Sequence, residues 1–395
     1  MSFFLITGLL MVGLLNYASD PYSIFQFPRI DGFNTNKIGF TKHLRLTKAK
    51  LIAKRKPDAL IIGTSRTGFG LSPDHPGFED SSTFNLGIAD MSMFEAVQYL
   101  QHANNIRKLK KVVFAIDFRL FTNPYPNPSF SKSRLATKGT RNLQYWNAWL
   151  DDHFSALFTH DSLMSSLRMI RYQTWGKTNL LENGFWLRDQ SKFDPYKAFR
   201  VYTTNTIKRI QVFKKNNSQA KEDTPNPLEE YRDFVRYCYQ HNIQLYLLIS
   251  PSHAWHWETL RATDVWPTFQ YFKQQLILIN EEEAKQNNQR VYPLWDFSGY
   301  NYFSTEQAPL AADNTIESKW FWETIHYKKK LGDRILNKLF GLNSDYIDTL
   351  PFGVRLTIAN LASHEIQMTQ DHIDFEASHP NEIQIIQHLI KQTNP

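Results

Sequence analysis

Five short apolar runs, each closed by a glycine or a polar side chain, constrain this chain more than any other feature in it. Ala59-Leu60-Ile61-Ile62-Gly63 is the clearest: continuously apolar, without alternation, and stopped by glycine. A run of that kind reads as a strand buried on both faces, as in a parallel sheet. Phe84 to Gly87, Lys111 to Phe118, Gln244 to Ile249 and Val291 to Phe297 follow as further strands. Helical periodicity lies between and after them, over Met93 to Ile106, Leu228 to His241, Val265 to Glu283 and His326 to Phe340. Strands alternating with helices imply an α/β fold, here a three-layer sandwich around a mostly parallel five-stranded sheet.

The rhythm breaks between Arg119 and Asn226, a stretch rich in Asn, Pro, Trp and Tyr with helices expected near 160–172 and 196–213. Residues 119–227 are therefore expected to form a helical insertion within a domain spanning 58–341. Residues 1–18 precede a polar, basic connector (19–57), and 342–395 form a helical C-terminal appendix.

Ligands of open parallel sheets bind beyond the carboxyl ends of the strands. The polar residues that stand out here lie at those ends. Ser65 and Arg66 follow the first strand, Asn85 to Gly87 close the second, Asp117 the third, Ser250 to His253 the fourth and Asp296 the fifth. Asp117 and Asp296 read as rim carboxylates that fix loops, and His253 as a hydrogen-bonded structural residue that could line the site. His253 and His256 lack a further ligand at metal spacing, so neither a metal nor a cofactor is expected.

Composition narrows the partners. The net charge of +7 is spread out, with no zinc-finger or helix-turn-helix signature, which argues against nucleic acid and allows an anionic polymer or lipid surface. The single cysteine, Cys238, excludes an intrachain disulfide. Phe3 to Leu15 is apolar and uncharged, and is read as a signal anchor or signal peptide that tethers the body to the inner membrane from the periplasmic side. The basic residues Arg29 and Lys37 follow that run and none precedes it, which opposes this orientation.

A serine hydroxyl needs a base to take its proton, and the base needs a third group to orient it. Ser65, in Gly63-Thr64-Ser65-Arg66, is the candidate nucleophile. His326, in Glu323-Thr324-Ile325-His326, is the candidate base, with Glu323 three residues before it to hold its tautomer. The order of an early Gly-x-Ser turn, then Asn85-Leu86-Gly87, then a late acid-x-x-His before the last helix resembles the SGNH (GDSL-like) hydrolase superfamily. The likeness is nearest its membrane-anchored bacterial envelope branch, which includes alginate O-acetyltransferase-like proteins and proteins of D-alanyl-lipoteichoic acid synthesis. It covers roughly residues 59–118 and 228–340.

The resemblance implies an SGNH/flavodoxin-like sheet. It also implies an oxyanion hole from the amides of Ser65 and Gly87, and an envelope-associated serine esterase or O-acyltransferase forming an acyl-enzyme on Ser65. The implied partners are an acylated glycan or other envelope polymer and a membrane acyl-transfer protein. Two positions depart from the superfamily pattern. Glu323 stands for the usual aspartate, and Asp117 lies where an asparagine side chain should stabilise the oxyanion. The second departure, together with the large aromatic insertion, motivates an alternative, a catalytically degenerate protein that binds an envelope polymer or membrane partner.

Overall fold

The computed structural model describes residues 2–136, 143–173, 179–188, 193–219, 221, 223–312, 318–342 and 350–393. Its elements begin with α1 (Ser2–Ser19), α2 (Leu44–Arg55), β1 (Ala59–Gly63), α3 (Ser65–Gly70), β2 (Thr83–Gly87), α4 (Met93–Ile106), β3 (Lys111–Ile116) and α5 (Arg119–Thr122). There follow α6 (Leu143–Phe158), α7 (His160–Arg171), β4 (Asn179–Leu180), β5 (Trp186–Leu187) and α8 (Pro195–Ser218). The sheet resumes through α9 (Pro227–Gln240), β6 (Gln244–Ile249), α10 (Ala254–Ala262), α11 (Trp266–Gln286), β7 (Leu294–Asp296) and α12 (Lys329–Phe340). Last come β8 (Val354–Arg355), α13 (Ile358–Ser378) and α14 (Pro380–Thr393).

The main sheet has six strands in the order β2-β1-β3-β6-β7-β8. The first five run parallel and β8 pairs antiparallel with β7. The sheet is therefore mixed and six-stranded, not the five-stranded one expected, because the tail returns to add a strand of two residues. A second, two-stranded sheet, β4 with β5, lies inside the insertion, so that segment is not purely helical.

Strand geometry explains the layers. Successive side chains point to opposite faces. Leu60 and Ile62 of β1 join one core with Phe84, Leu86, Val112, Phe114, Leu245 and Leu247, while Ala59 and Ile61 join another with Val113, Ala115 and Leu248. Every residue of β1 is buried, as a continuous apolar run requires. Each fully buried Leu, Ile or Phe contributes about 1.5–3 kcal/mol relative to exposure. The chain leaves β1 for β2 on one side and returns to β3 on the other, so a topological switch point opens at the end of β1.

Both flanks of the sheet are occupied. The β2 flank is met by the loop at Asn183, whose carbonyl accepts the Asn85 amide at 2.8 Å. The buried Lys48 ammonium binds the Asn85 and Gly184 carbonyls at 2.6 and 2.5 Å. Beyond β7, the tail is tied to the core through Asp296, which is within 3.4 Å of the Lys273 ammonium and 3.0 Å of His364 on α13. Asp296 thus fastens structure, as expected of a rim carboxylate.

The N-terminal expectation is overturned. Among the described residues, no helix is long and apolar enough to cross a membrane. The apolar run Phe3–Leu15 would span only about 20 Å as a helix, against a hydrocarbon core of about 30 Å. Its polar end is also built into the protein. Asn16 donates to the Leu157 carbonyl at 2.7 Å, and Ser19 and Ser166 are joined at 2.7 Å. The anchored, inner-membrane placement expected from the sequence therefore has no spanning helix behind it among the described residues.

Candidate active site

Gly63 ends β1 and Thr64 caps α3, accepting the Arg66 amide, so Ser65 is the first helical residue. Its own amide is one of the donors a helix start leaves without an intrahelical partner. The hydroxyl is half-buried and lies 2.7 Å from His326 Nε2. These residues are 261 positions apart in sequence. The crossing of α3 and α12 brings them together: a Cβ on Gly332 would lie 1.8 Å from the Gly70 carbonyl oxygen. Only glycine permits so close an approach there.

His326 sits ahead of α12, and the helix expected over His326 to Phe340 begins three residues later, at Lys329. It lies in a tight turn closed by the Phe321–Tyr327 bridge and by hydrogen bonds from Trp322 N to His326 O and from Lys328 N to Trp320 O, each 2.8 Å. Its Nδ1 pairs with Glu323 Oε1. The other carboxylate oxygen of Glu323 accepts the Ile325 amide at 2.9 Å. Glu323 is fully buried and its two oxygens are both occupied. The ring of His326 is further held edge-on between Phe69 and Tyr202, each with its centroid 5.4 Å away. Burial, and then the Glu323 charge, raise the Tyr202 phenol above its ordinary pKa.

The remaining expected residues fall into place less uniformly. Asn85 turns inward. Its side-chain nitrogen donates to the Thr67 and Leu71 carbonyls at 2.8 and 2.7 Å, and its oxygen accepts the Gly87 amide at 2.7 Å. The Gly87 amide expected in the oxyanion hole is therefore already committed, and the Asn85 side chain that captures it is the cause. Asp117 is buried, receives the Thr64 hydroxyl, and lies 3.5 Å from Arg66 Nη1. Arg66 also donates to the Ser252 hydroxyl at 2.8 Å. Asp117 and Arg66 thus form a buried pair beneath Ser65 that braces the turn.

His253 does not line the site. It caps α10: Nδ1 accepts the Trp255 amide at 3.2 Å and Nε2 donates to the Glu306 carbonyl at 2.7 Å. Burial pulls its pKa down to about 4, so it is neutral.

A cleft opens at Ser65, lined by Thr64, Arg66, Asp90, Phe118, Arg119, Thr122, Thr206, Arg209, Ile210, Phe213, His256, Leu260 and Ile325. Four of these come from α8, so the insertion builds one wall of the site. Arg119 and Arg209 converge on the two oxygens of Asp90 at 3.2 and 3.1 Å. Asp90 itself sits at φ 49°, a left-handed conformation uncommon for a residue with a side chain. Asp90, Arg119, Arg209 and Ile210 join the site beyond the residues expected from the sequence. Position after β2 and β3 could have suggested the first two; nothing local marks the α8 pair.

Among the described residues, one group has ligand atoms close enough to share a cation: Glu258, His372 and Glu376, within 4.8 Å of one another. Glu258 there already accepts from Tyr300 at 2.5 Å and pairs with His372 at 2.9 Å, and none of the three lines the cleft.

No family model matches the chain, and no curated protein matches it in sequence.

Proposed function

We propose that the protein is a serine esterase or O-acyltransferase of SGNH type that works through an acyl-enzyme on Ser65. The observation that carries this reading is the chain of contacts from the Ser65 hydroxyl to His326 Nε2, and from His326 Nδ1 to Glu323, at the switch point of a parallel sheet. In the reaction, Ser65 Oγ attacks the ester carbonyl carbon as His326 takes the hydroxyl proton. The ester C–O bond then breaks and the alcohol leaves with the proton from His326. Water or a second hydroxyl attacks the acyl-enzyme, again deprotonated by His326, and Ser65 recovers its proton as the acyl group departs. Glu323 stabilises the imidazolium and keeps the neutral ring protonated at Nδ1. An acylated glycan or envelope polymer as the substrate rests on the sequence resemblance alone.

The alternative, a degenerate polymer-binding protein, would be favoured by a serine and histidine out of reach of each other, and the 2.7 Å contact weighs against it. The test is labelling by a fluorophosphonate probe. The wild-type protein should be labelled and Ser65→Ala should not. A wild-type protein that is neither labelled nor active on 4-nitrophenyl acetate would sink the proposal.

A further inference from the structure

Resting on the proposed acyl-enzyme chemistry, a question of donors remains. A tetrahedral intermediate needs hydrogen bonds to its oxyanion. The Ser65 amide can supply one. The Gly87 amide is taken by Asn85, and the third-strand position holds Asp117, an acceptor. Arg66 lines the cleft, but its guanidinium is engaged by Ser252 and Asp117.

His256 is the group in that cleft with an unmet requirement. It lies in the first turn of α10, is 7% exposed, and its buried Nδ1 has no hydrogen-bond partner. A buried N–H without an acceptor is costlier than a bare lone pair, since it forfeits a full hydrogen bond. The proton therefore belongs on Nε2, the other ring nitrogen. Burial and the neighbouring Arg66 charge hold the ring neutral, far below the usual histidine range. Trp257 packs against it with ring centroids 5.0 Å apart, which fixes its plane. A neutral imidazole of this kind polarises a carbonyl without surrendering its proton.

We propose that His256 Nε2–H donates to the carbonyl oxygen of the bound ester and to the oxyanion it becomes, in place of the side-chain amide absent from the end of β3. The group strengthens its bond as charge develops, so its removal lowers kcat more than it raises KM.

The experiment compares wild type, His256→Phe and His256→Gln on 4-nitrophenyl acetate, with the tautomer of His256 read by 15N NMR in the full-length protein. His256→Phe keeps a flat buried ring without the donor; kcat should fall by about 10²–10³ with KM changed by less than about threefold. His256→Gln places an N–H near the Nε2 position and should recover most of the loss. Melting temperatures identify any variant that has failed to fold, and the spectrum of the wild-type protein stands independently of them. An Nδ1–H tautomer overturns the inference whatever the kinetics. So does a His256→Phe enzyme as fast as a wild type that loses activity on Ser65→Ala, and in that case the esterase reading survives. A wild type that is inactive and unlabelled removes both.

Discussion

Replacing Glu323 by glutamine tests the site through one backbone amide. The carboxylate of Glu323 has two jobs: Oε2 accepts the Ile325 N–H at 2.9 Å, and Oε1 accepts His326 Nδ1–H. Glutamine is nearly isosteric but has one oxygen and one NH2. If the oxygen stays on the Ile325 amide, the NH2 faces His326 Nδ1, which must then be an acceptor. The imidazole proton moves to Nε2, and the ring can no longer take the Ser65 proton. The opposite flip sets the NH2 against the Ile325 N–H, leaving buried donors unpaired at about 1–3 kcal/mol. A preference of about 2 kcal/mol alone leaves roughly one molecule in thirty with a competent base. The lost carboxylate charge also removes stabilisation of the imidazolium. Together the expected loss is about 10³–10⁴-fold in acylation rate, the upper end being that of amide replacement of a triad carboxylate. The assay is the second-order rate of fluorophosphonate labelling, which isolates attack by Ser65 from later steps. Glu323→Gln should retain a cooperative thermal transition, and its labelling should accelerate with hydroxide where the wild-type rate has levelled off. Labelling within about threefold of wild type would refute the orientation argument.

Other outcomes follow from the same contacts. Gly332→Ala should lower stability by about 1–3 kcal/mol, the usual cost of overpacking, and reduce esterase activity further by displacing the His326 turn from Ser65; unchanged urea denaturation and kinetics would refute the close-approach argument. Two buried histidines, His102 and His253, have pKa values pulled down to about 4 by burial. Their folded pKa lies below the unfolded value of about 6.5, so the unfolded chain binds their protons first and stability falls as pH drops from about 6.5 to 4. Each contributes up to about 3 kcal/mol of that loss, and proton uptake on unfolding at pH 5 should include close to two protons from this pair. Replacing either histidine without reducing that uptake would contradict the assignment.

The residues differ in how far the sequence could reveal them. The buried strands were legible because a run such as Ala59–Gly63 has no other comfortable environment, and the faces then follow from alternation. Ser65, Glu323 and His326 were legible because each sits next to a marked boundary, a strand end or a helix start. Two things were not. The Gly87 amide looks available in a linear reading, yet Asn85 two positions earlier folds back onto it, a local hydrogen bond with no periodic signal. The wall from α8 is equally silent, because Tyr202, Arg209 and Ile210 reach the site only through the path of a long insertion. The N-terminal run misled for a different reason. Its composition suits lipid, but Asn16 and Ser19 find partners in α6 and α7 that no sequence window contains.

The way the sheet is bordered carries a consequence for self-association. An unpaired strand offers a row of amides and carbonyls on which another chain can continue the sheet. Here the β2 flank is blocked by the Asn183 loop and a buried ammonium, and the β7 flank by a tail strand only two residues long, followed by a helix whose Asn360 takes the Arg355 carbonyl at 2.9 Å. The two C-terminal helices and their short strand thus act as a stopper against edge-to-edge polymerisation. A chain ending after α12 would keep Ser65, Glu323 and His326, and would uncover the β7 flank for another strand to extend.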